Sequence, residues 1–218
     1  MHVLYEDNHL LVVNKPAGLP TMGVAEGEKS LLTVAKHYIG EKYHKPGNVY
    51  LGIVSRLDTP TTGVVIIART SKAADRLNRQ FREHTVRKIY WAVVEGTPPP
   101  NGTLSDRMGE EKRHRKMYVT QNADGIPAVL HYKTIRNFGK ESLLEIQLET
   151  GRKHQIRVQL AHQGWPIVGD RKYGAQTTFP VGIALHAREL TFVHPTLNDE
   201  RTLFAELPAT WKKWNLEE

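Results

Sequence analysis

Residues 50–68 read YLGIVSRLDTPTTGVVIIA, two short apolar runs at 50–54 and 64–68 flanking the polar segment Ser55-Arg56-Leu57-Asp58-Thr59-Pro60-Thr61-Thr62-Gly63. Runs this short and this rich in β-branched residues fit buried strands better than helices. The loop between them presents one carboxylate, Asp58, at the edge of a sheet, beside Arg56 and three threonines. Such a position suits a reactive acid on a rigid support. Asp is equally at home stabilising the turn before a Thr-Pro step, so the local residues leave both roles open.

Working outward, residues 2–5 and 10–14 form a predicted hairpin around Glu6-Asp7-Asn8-His9, and Lys15-Pro16-Ala17-Gly18-Leu19-Pro20 then breaks regular structure. A helix is predicted over 30–39, with Leu31, Val34, Ala35 and Tyr38 inward. Ser71 is placed to cap a second helix reaching about residue 84, with Ala74, Leu77 and Phe81 buried and Lys72, Arg76, Arg79 and Arg82 on the opposite face. Residues 89–95 follow as a strand holding Tyr90 near its start. Residues 97–125 lose hydrophobic periodicity, carry Pro98-Pro99-Pro100 and the run EEKRHRK at 110–116, and are expected to be loops with one short strand at most. A second hairpin is predicted from 128–138 and 142–149, turning at Gly139-Lys140. Thr150 is placed to cap a helix over 152–162 with Ile156 and Leu160 inward, and strands at 184–193 and 202–206 complete an α+β pattern in one domain, residues 1–218.

The chain has 218 residues, with 30 Lys plus Arg against 23 Asp plus Glu, a formal charge of +7. That balance favours a polyanionic partner, nucleic acid first, although a basic surface alone is also compatible with simple solubility. The absence of cysteine excludes disulfides, thiolate nucleophiles and cysteine zinc sites. No stretch approaches the roughly 18 apolar residues of a membrane-spanning helix, and a cytoplasmic location is expected. The phosphate-binding loop ending in Gly-Lys-Ser/Thr, the Gly-x-Ser-x-Gly elbow and the His-Glu-x-x-His zinc motif are all missing from the sequence, so neither ATP use nor a metal site is expected.

Thr150-Gly151-Arg152-Lys153-His154-Gln155-Ile156-Arg157 is the second candidate cluster, with His154 and Arg157 one helical turn apart. Arg157 is suited to pair with a buried carboxylate, fixing its rotamer and favouring its charged form. A basic first turn opposes the helix macrodipole and suggests a compensating anion, though a solvated helix start reads the same way. Tyr90 offers a face for stacking an unpaired base or, equally, for core packing. Arg76, Arg79 and Arg82, the region from Arg107 through Arg113, Arg115 and Lys116, and Arg152, Lys153 and His154 are candidate phosphate contacts.

The blocks SRLDTPTTGVVIIART, KIYWAVVEG and LETGRKHQIRVQLAHQGWPIVGDRKYG, in that order, with YEDNHLLVVNKPAGLPT before them and LHARELTFVHP after, resemble the RluA-type pseudouridine synthases over nearly the whole chain. The resemblance implies an α+β catalytic domain on a mixed, mainly antiparallel sheet with a central cleft, using no cofactor and no metal and acting as a monomer on structured RNA, ribosomal or transfer. It assigns Asp58 as the catalytic aspartate, Tyr90 as the tyrosine stacked on the target base, Arg157 as the arginine paired with the aspartate, Arg56 as the residue filling the place of the flipped uridine, and Leu185 as an apolar wall of the base pocket. Two positions depart from the family pattern, Ser55 and Gln159, where His is usual. The first bears on RNA contacts and base flipping more than on the chemistry. No S4-like RNA-binding module is expected before the first strand, which would leave recognition to the catalytic domain, with residues 97–125 as the leading specificity element. A catalytically silent RNA-binding protein is the alternative; an RNA hydrolase would need an acid–base pair or metal cluster that the sequence does not offer.

Overall fold

The computed structural model describes residues 1–114 and 116–216. The chain groups into two compact units, one holding Met1–Arg87 and Ala187–Ala209, the other Lys88–His186 and the described residues from Thr210 onward, 210–216.

In the first unit, β1 (His2–Glu6) and β2 (Leu10–Lys15) form the expected hairpin, and β2 pairs antiparallel with β4 (Thr62–Ala68) from Leu10↔Ala68 to Lys15↔Gly63. The strand β3 is only Gly52–Ile53, shorter than the apolar run 50–54, because Tyr50 faces solvent and Val54 lies past the last paired residue. The runs LLVV and VVII are continuous rather than alternating because the sheet is covered on both sides. Leu11, Val13, Val65 and Ile67 pack against α1 (Leu31–Lys42) through Leu31, Ala35 and Ile39. Leu10, Val12, Val64 and Ile66 pack on the other side against Ala73, Ala74 and Leu77 of α2 (Ser71–Arg82).

Ser30 caps α1 in a capping box with Thr33. The cap of α2 is Thr70 rather than Ser71, its hydroxyl accepting from the Ala73 amide at 3.2 Å, and the helix ends at Arg82.

In the second unit the strand order is β5 (Arg87–Glu95, in this unit from Lys88), β9 (Glu141–Leu148), β8 (Ile126–Asn137), β6 (Asn101–Glu111) and β7 (Lys116–Thr120), with every neighbouring pair antiparallel. The β8–β9 hairpin is the one predicted. The region read as loops is instead the long β6–β7 hairpin. Along β6 the even-numbered positions 102–108 face inward, but of these only Leu104 and Met108 are apolar and buried, so the sequence carries no legible hydrophobic alternation, and the strand is held chiefly by main-chain pairing with β8 and β7.

The last α-helix, α3 (Gln155–His162), starts later than the predicted 152, and Thr150 does not cap it. The Thr150 hydroxyl donates to Gln155 Oε1 at 2.8 Å, Gln155 Oε1 accepts the Arg152 amide at 3.0 Å, and His154 occupies the N-cap position with φ 55°. The basic residues Arg152 and Lys153 therefore precede the helix and do not load its first turn. β10 (Leu185–Val193) and β11 (Glu200–Phe204) form an antiparallel pair from Glu189↔Phe204 onward, the residues of β10 from Ala187 belonging to the first unit. The fold is α+β with mainly antiparallel strands, as expected.

Candidate active site

The Asp58 loop is irregular backbone fastened from below by residues 15–21. Both main-chain polar groups of Leu57 bond to the Thr21 hydroxyl, which donates to the carbonyl at 2.9 Å and accepts from the amide at 3.2 Å. On the other flank the Thr59 carbonyl accepts the Gly18 amide at 2.9 Å and Lys15 Nζ at 3.2 Å, while the Thr61 amide closes the turn onto the Asp58 carbonyl at 3.0 Å. Asp58 is thus clamped through the residues on either side of it. Lys15 is fully buried, and its ammonium also donates to the carbonyls of Pro16 and Leu19 at 2.9 and 2.7 Å. Burial pushes the Lys15 ammonium down to about 8, against the opposing pull of the Asp58 charge.

Gly63 ends the loop with φ 115°, and a Cβ there would collide with the backbone of Ala187. Only glycine lets β4 approach that strand as the loop returns to the sheet.

Asp58 itself is half-buried and Arg56 is exposed. Of the three arginines on α2, Arg79 and Arg82 are exposed, but Arg76 turns its Nη1 onto the Pro195 carbonyl, which occupies it structurally.

In the second unit, Tyr90 is half-buried on β5 opposite Ile146 of β9. Arg157 is 5% exposed and forms a bidentate pair with Asp170, itself 2% exposed: Nε to Oδ2 at 2.7 Å and Nη2 to Oδ1 at 2.9 Å. The buried carboxylate that holds Arg157 within this unit is Asp170, not a residue singled out from the sequence, where Arg157 was expected to pair with Asp58. The guanidinium lies over the Tyr173 ring, 5.0 Å from the centroid, and the Tyr173 hydroxyl accepts the Met117 amide at 3.1 Å and meets His154 Nδ1 at 2.7 Å. His154 and Arg157 are therefore brought to one aromatic side chain, which also ties β7 to the start of α3.

Among the other basic candidates, Arg152 donates from Nε to the Pro127 carbonyl at 3.1 Å and Lys153 pairs with Glu110 at 2.5 Å. Lys116 is exposed with Nζ 5.7 Å above Tyr173, Arg113 is exposed at the hairpin tip, and Arg115 lies outside the described residues. Leu185 is 4% exposed at the start of β10. Gln159 is fully buried, its Nε2 directed at Asp106 Oδ2 (2.7 Å) and the carbonyls of Ala128 (3.1 Å) and Leu104 (3.2 Å), so this departure from the family pattern ties α3 to β6 and β8.

Asp170 and Tyr173 were not among the sequence candidates. Their signal was the sequence GDRKYG immediately after the apolar Ile167-Val168 pair, a carboxylate and a phenol drawn into the interior. Among the described residues no cluster of His, Asp and Glu is arranged to hold a metal, and no helix is long and apolar enough to cross a membrane.

Residues 9–162 match the family model described as RNA pseudouridylate synthase. The chain is 36% identical to an uncharacterized RNA pseudouridine synthase of Synechocystis sp. over 98% of its own length and 67% of the relative's. It is 34% identical to the ribosomal large subunit pseudouridine synthase D of Zymomonas mobilis, over 95% of this chain and 69% of that one. Among solved structures, human RNA pseudouridylate synthase domain containing 4 superposes with a TM-score of 0.82 at 28% identity, covering 100% of this chain and 94% of that one. The chain spans about two thirds of the length of these two curated relatives.

Proposed function

This chain belongs to the RNA pseudouridylate synthase family of isomerases, and on that premise we propose that it converts a specific uridine of structured ribosomal or transfer RNA to pseudouridine, acting as a cytoplasmic monomer. The observation that carries this reading is the fastening of the Asp58 loop, in which Leu57 and Thr59 are both bonded to residues 15–21 and the acid between them is half-buried on a fixed support. Fixed geometry is what a carboxylate needs to meet one carbon atom of a large substrate repeatedly.

The target uridine leaves its stack at a cost of a few kcal/mol. Arg56 fills the place it leaves, and Tyr90 stacks on the extruded base. The Asp58 carboxylate then attacks at the ribose, C1′ passes from N1 to the carboxylate oxygen, and the uracil departs with the N1–C1′ electron pair. Arg157, immobilised by Asp170, supplies a fixed positive charge to balance the carboxylate. The freed ring rotates and rejoins through C5, expelling the carboxylate, and the C5 proton leaves to Tyr90 or a water it positions. Bonds broken and made balance within one nucleotide, so no cofactor is called for. Leu185 forms an apolar wall for the ring, the exposed cations Arg79, Arg82, Arg113, Lys116, Arg152 and Lys153, together with Arg115, meet phosphates, and the β6–β7 hairpin selects the RNA.

The test is tritium release from unmodified ribosomal and transfer RNA transcripts made with 5-tritiated uridine, followed by mapping of pseudouridine in the product. Release by the wild-type chain and none by Asp58→Asn is the expected result. RNA binding without release by the wild-type chain would instead leave a silent RNA-binding protein.

A further inference from the structure

Lys88 lies two residues before Tyr90 on β5, and because strand side chains alternate with a period of two, both point to the same face. Both are half-buried. The Lys88 ammonium rests against the turn that leads into α3: a Cβ built on Gly151 would lie 3.6 Å from Nζ, an ordinary contact. No hydrogen bond, ion pair or ring contact engages Lys88 among the described residues, and burial alone pushes its ammonium below the usual lysine range.

This is an unusual condition for a lysine, since a desolvated ammonium is costly unless it is paired. The neighbouring cations are all engaged: Arg152 with Pro127, Lys153 with Glu110 and Arg157 with Asp170. Lys15, which is fully buried, is by contrast satisfied by three carbonyl oxygens. Lys88 is therefore a cation held at the mouth of the 150–154 turn with no partner among the described residues, on the strand face that Tyr90 shares.

We propose that Lys88 is the seat of an RNA phosphate flanking the target nucleotide, received between the Tyr90 face of β5 and the turn at Gly151. The seat builds on the RNA-modifying function proposed above and adds to it a contact that fixes where the backbone lies when the base meets Tyr90. A compact ammonium acts on phosphate as a point charge, and the incoming anion restores the solvation that folding removed. Folding thus bears the cost of an unpaired charge that binding relieves, which separates this residue from a structural one.

The experiment compares wild type, Lys88→Met and Lys88→Arg as full chains, with unmodified ribosomal and transfer RNA transcripts as the probe. Lys88→Met should melt at the wild-type temperature or higher, because an apolar side chain of similar length replaces a desolvated charge. Its RNA affinity should fall about fivefold or more at low salt, and the slope of log affinity against log salt should shrink by about 0.7 to 0.9, the loss of one phosphate contact. Lys88→Arg should restore the slope. An unchanged slope, a lowered melting temperature with unchanged affinity, or no RNA binding by wild type would each overturn the proposal. Tritium release by wild type distinguishes the two readings: release with an unchanged Lys88→Met slope sinks only the seat, and a reduced slope without release sinks only the isomerase.

Discussion

Asp58 sits on irregular backbone whose flanking amides and carbonyls are taken up by residues 15–21, whereas Arg157 sits on a regular helix and is held through its own side chain by Asp170. The first arrangement secures a position through the main chain of the flanking residues, so the side chain can be changed while the loop stays. The second makes the functional group part of the fold: the charge that would act on substrate also keeps a buried carboxylate compensated. A loop acid of the first kind reports on chemistry when mutated, and a buried pair of the second kind reports on stability first.

The widest separation between the two regions is expected from Asp58→Asn and Asp170→Asn. Asp58→Asn should lower turnover by about 10³-fold or more while leaving the melting temperature within a degree or two, read from tritium release and calorimetry. Asp170→Asn breaks the bidentate pair of buried Arg157 and should cost about 3–5 kcal/mol in urea unfolding. The double replacement of Arg157 by Met and Asp170 by Leu should recover most of that loss without recovering activity. If Asp170→Asn were as stable as wild type, the contrast between the two regions would fail.

Lys15 tests the loop's fastening. Its folded pKa is depressed from 10.5 to about 8, so between these values the unfolded chain binds more protons than the folded one and stability rises with pH. Relative to Lys15→Met, wild type should gain up to about 3 kcal/mol as pH increases from 8 to 10.5, measured by denaturant titration at each pH. At neutral pH, Lys15→Met leaves the Thr59 carbonyl only the Gly18 amide of its two described donors and should slow turnover more than it weakens RNA binding.

A smaller effect is expected at Tyr173→Phe, which removes the acceptor of the Met117 amide and the partner of His154; about 1–3 kcal/mol of stability should be lost. Smallest is Glu110→Gln, which breaks the exposed pair with Lys153 and should change stability by less than about 1 kcal/mol, an effect that vanishes in high salt.

Much of this was legible in the amino-acid order. LLVV and VVII announce strands covered on both faces, the 128–149 stretch alternates, and SRLDTPTTG stands out as a polar loop between buried runs. The β6–β7 hairpin was not legible, because a strand with two buried side chains in eleven leaves no periodic trace and rests on main-chain bonds to neighbours distant in sequence. The start of α3 was misplaced for a related reason: Thr150 has the chemistry of a cap but spends its hydroxyl on Gln155. Nothing in the sequence marks Lys88, since burial without a partner among the described residues is a property of surroundings.

By itself, then, the sequence determined which segments must be buried, where the chain must turn, which acid stands alone and, through its ordered blocks, the family. Hydrophobic period and turn chemistry are local and survive in one dimension. The tertiary structure decided who meets whom: Asp170 with Arg157, Tyr173 with His154, Thr21 and Lys15 with the flanks of Asp58, and Lys88 with no partner among the described residues. Those pairings join residues that chain order keeps apart, and the hydrogen bonds and charges that settle them act only once packing has brought the groups within reach.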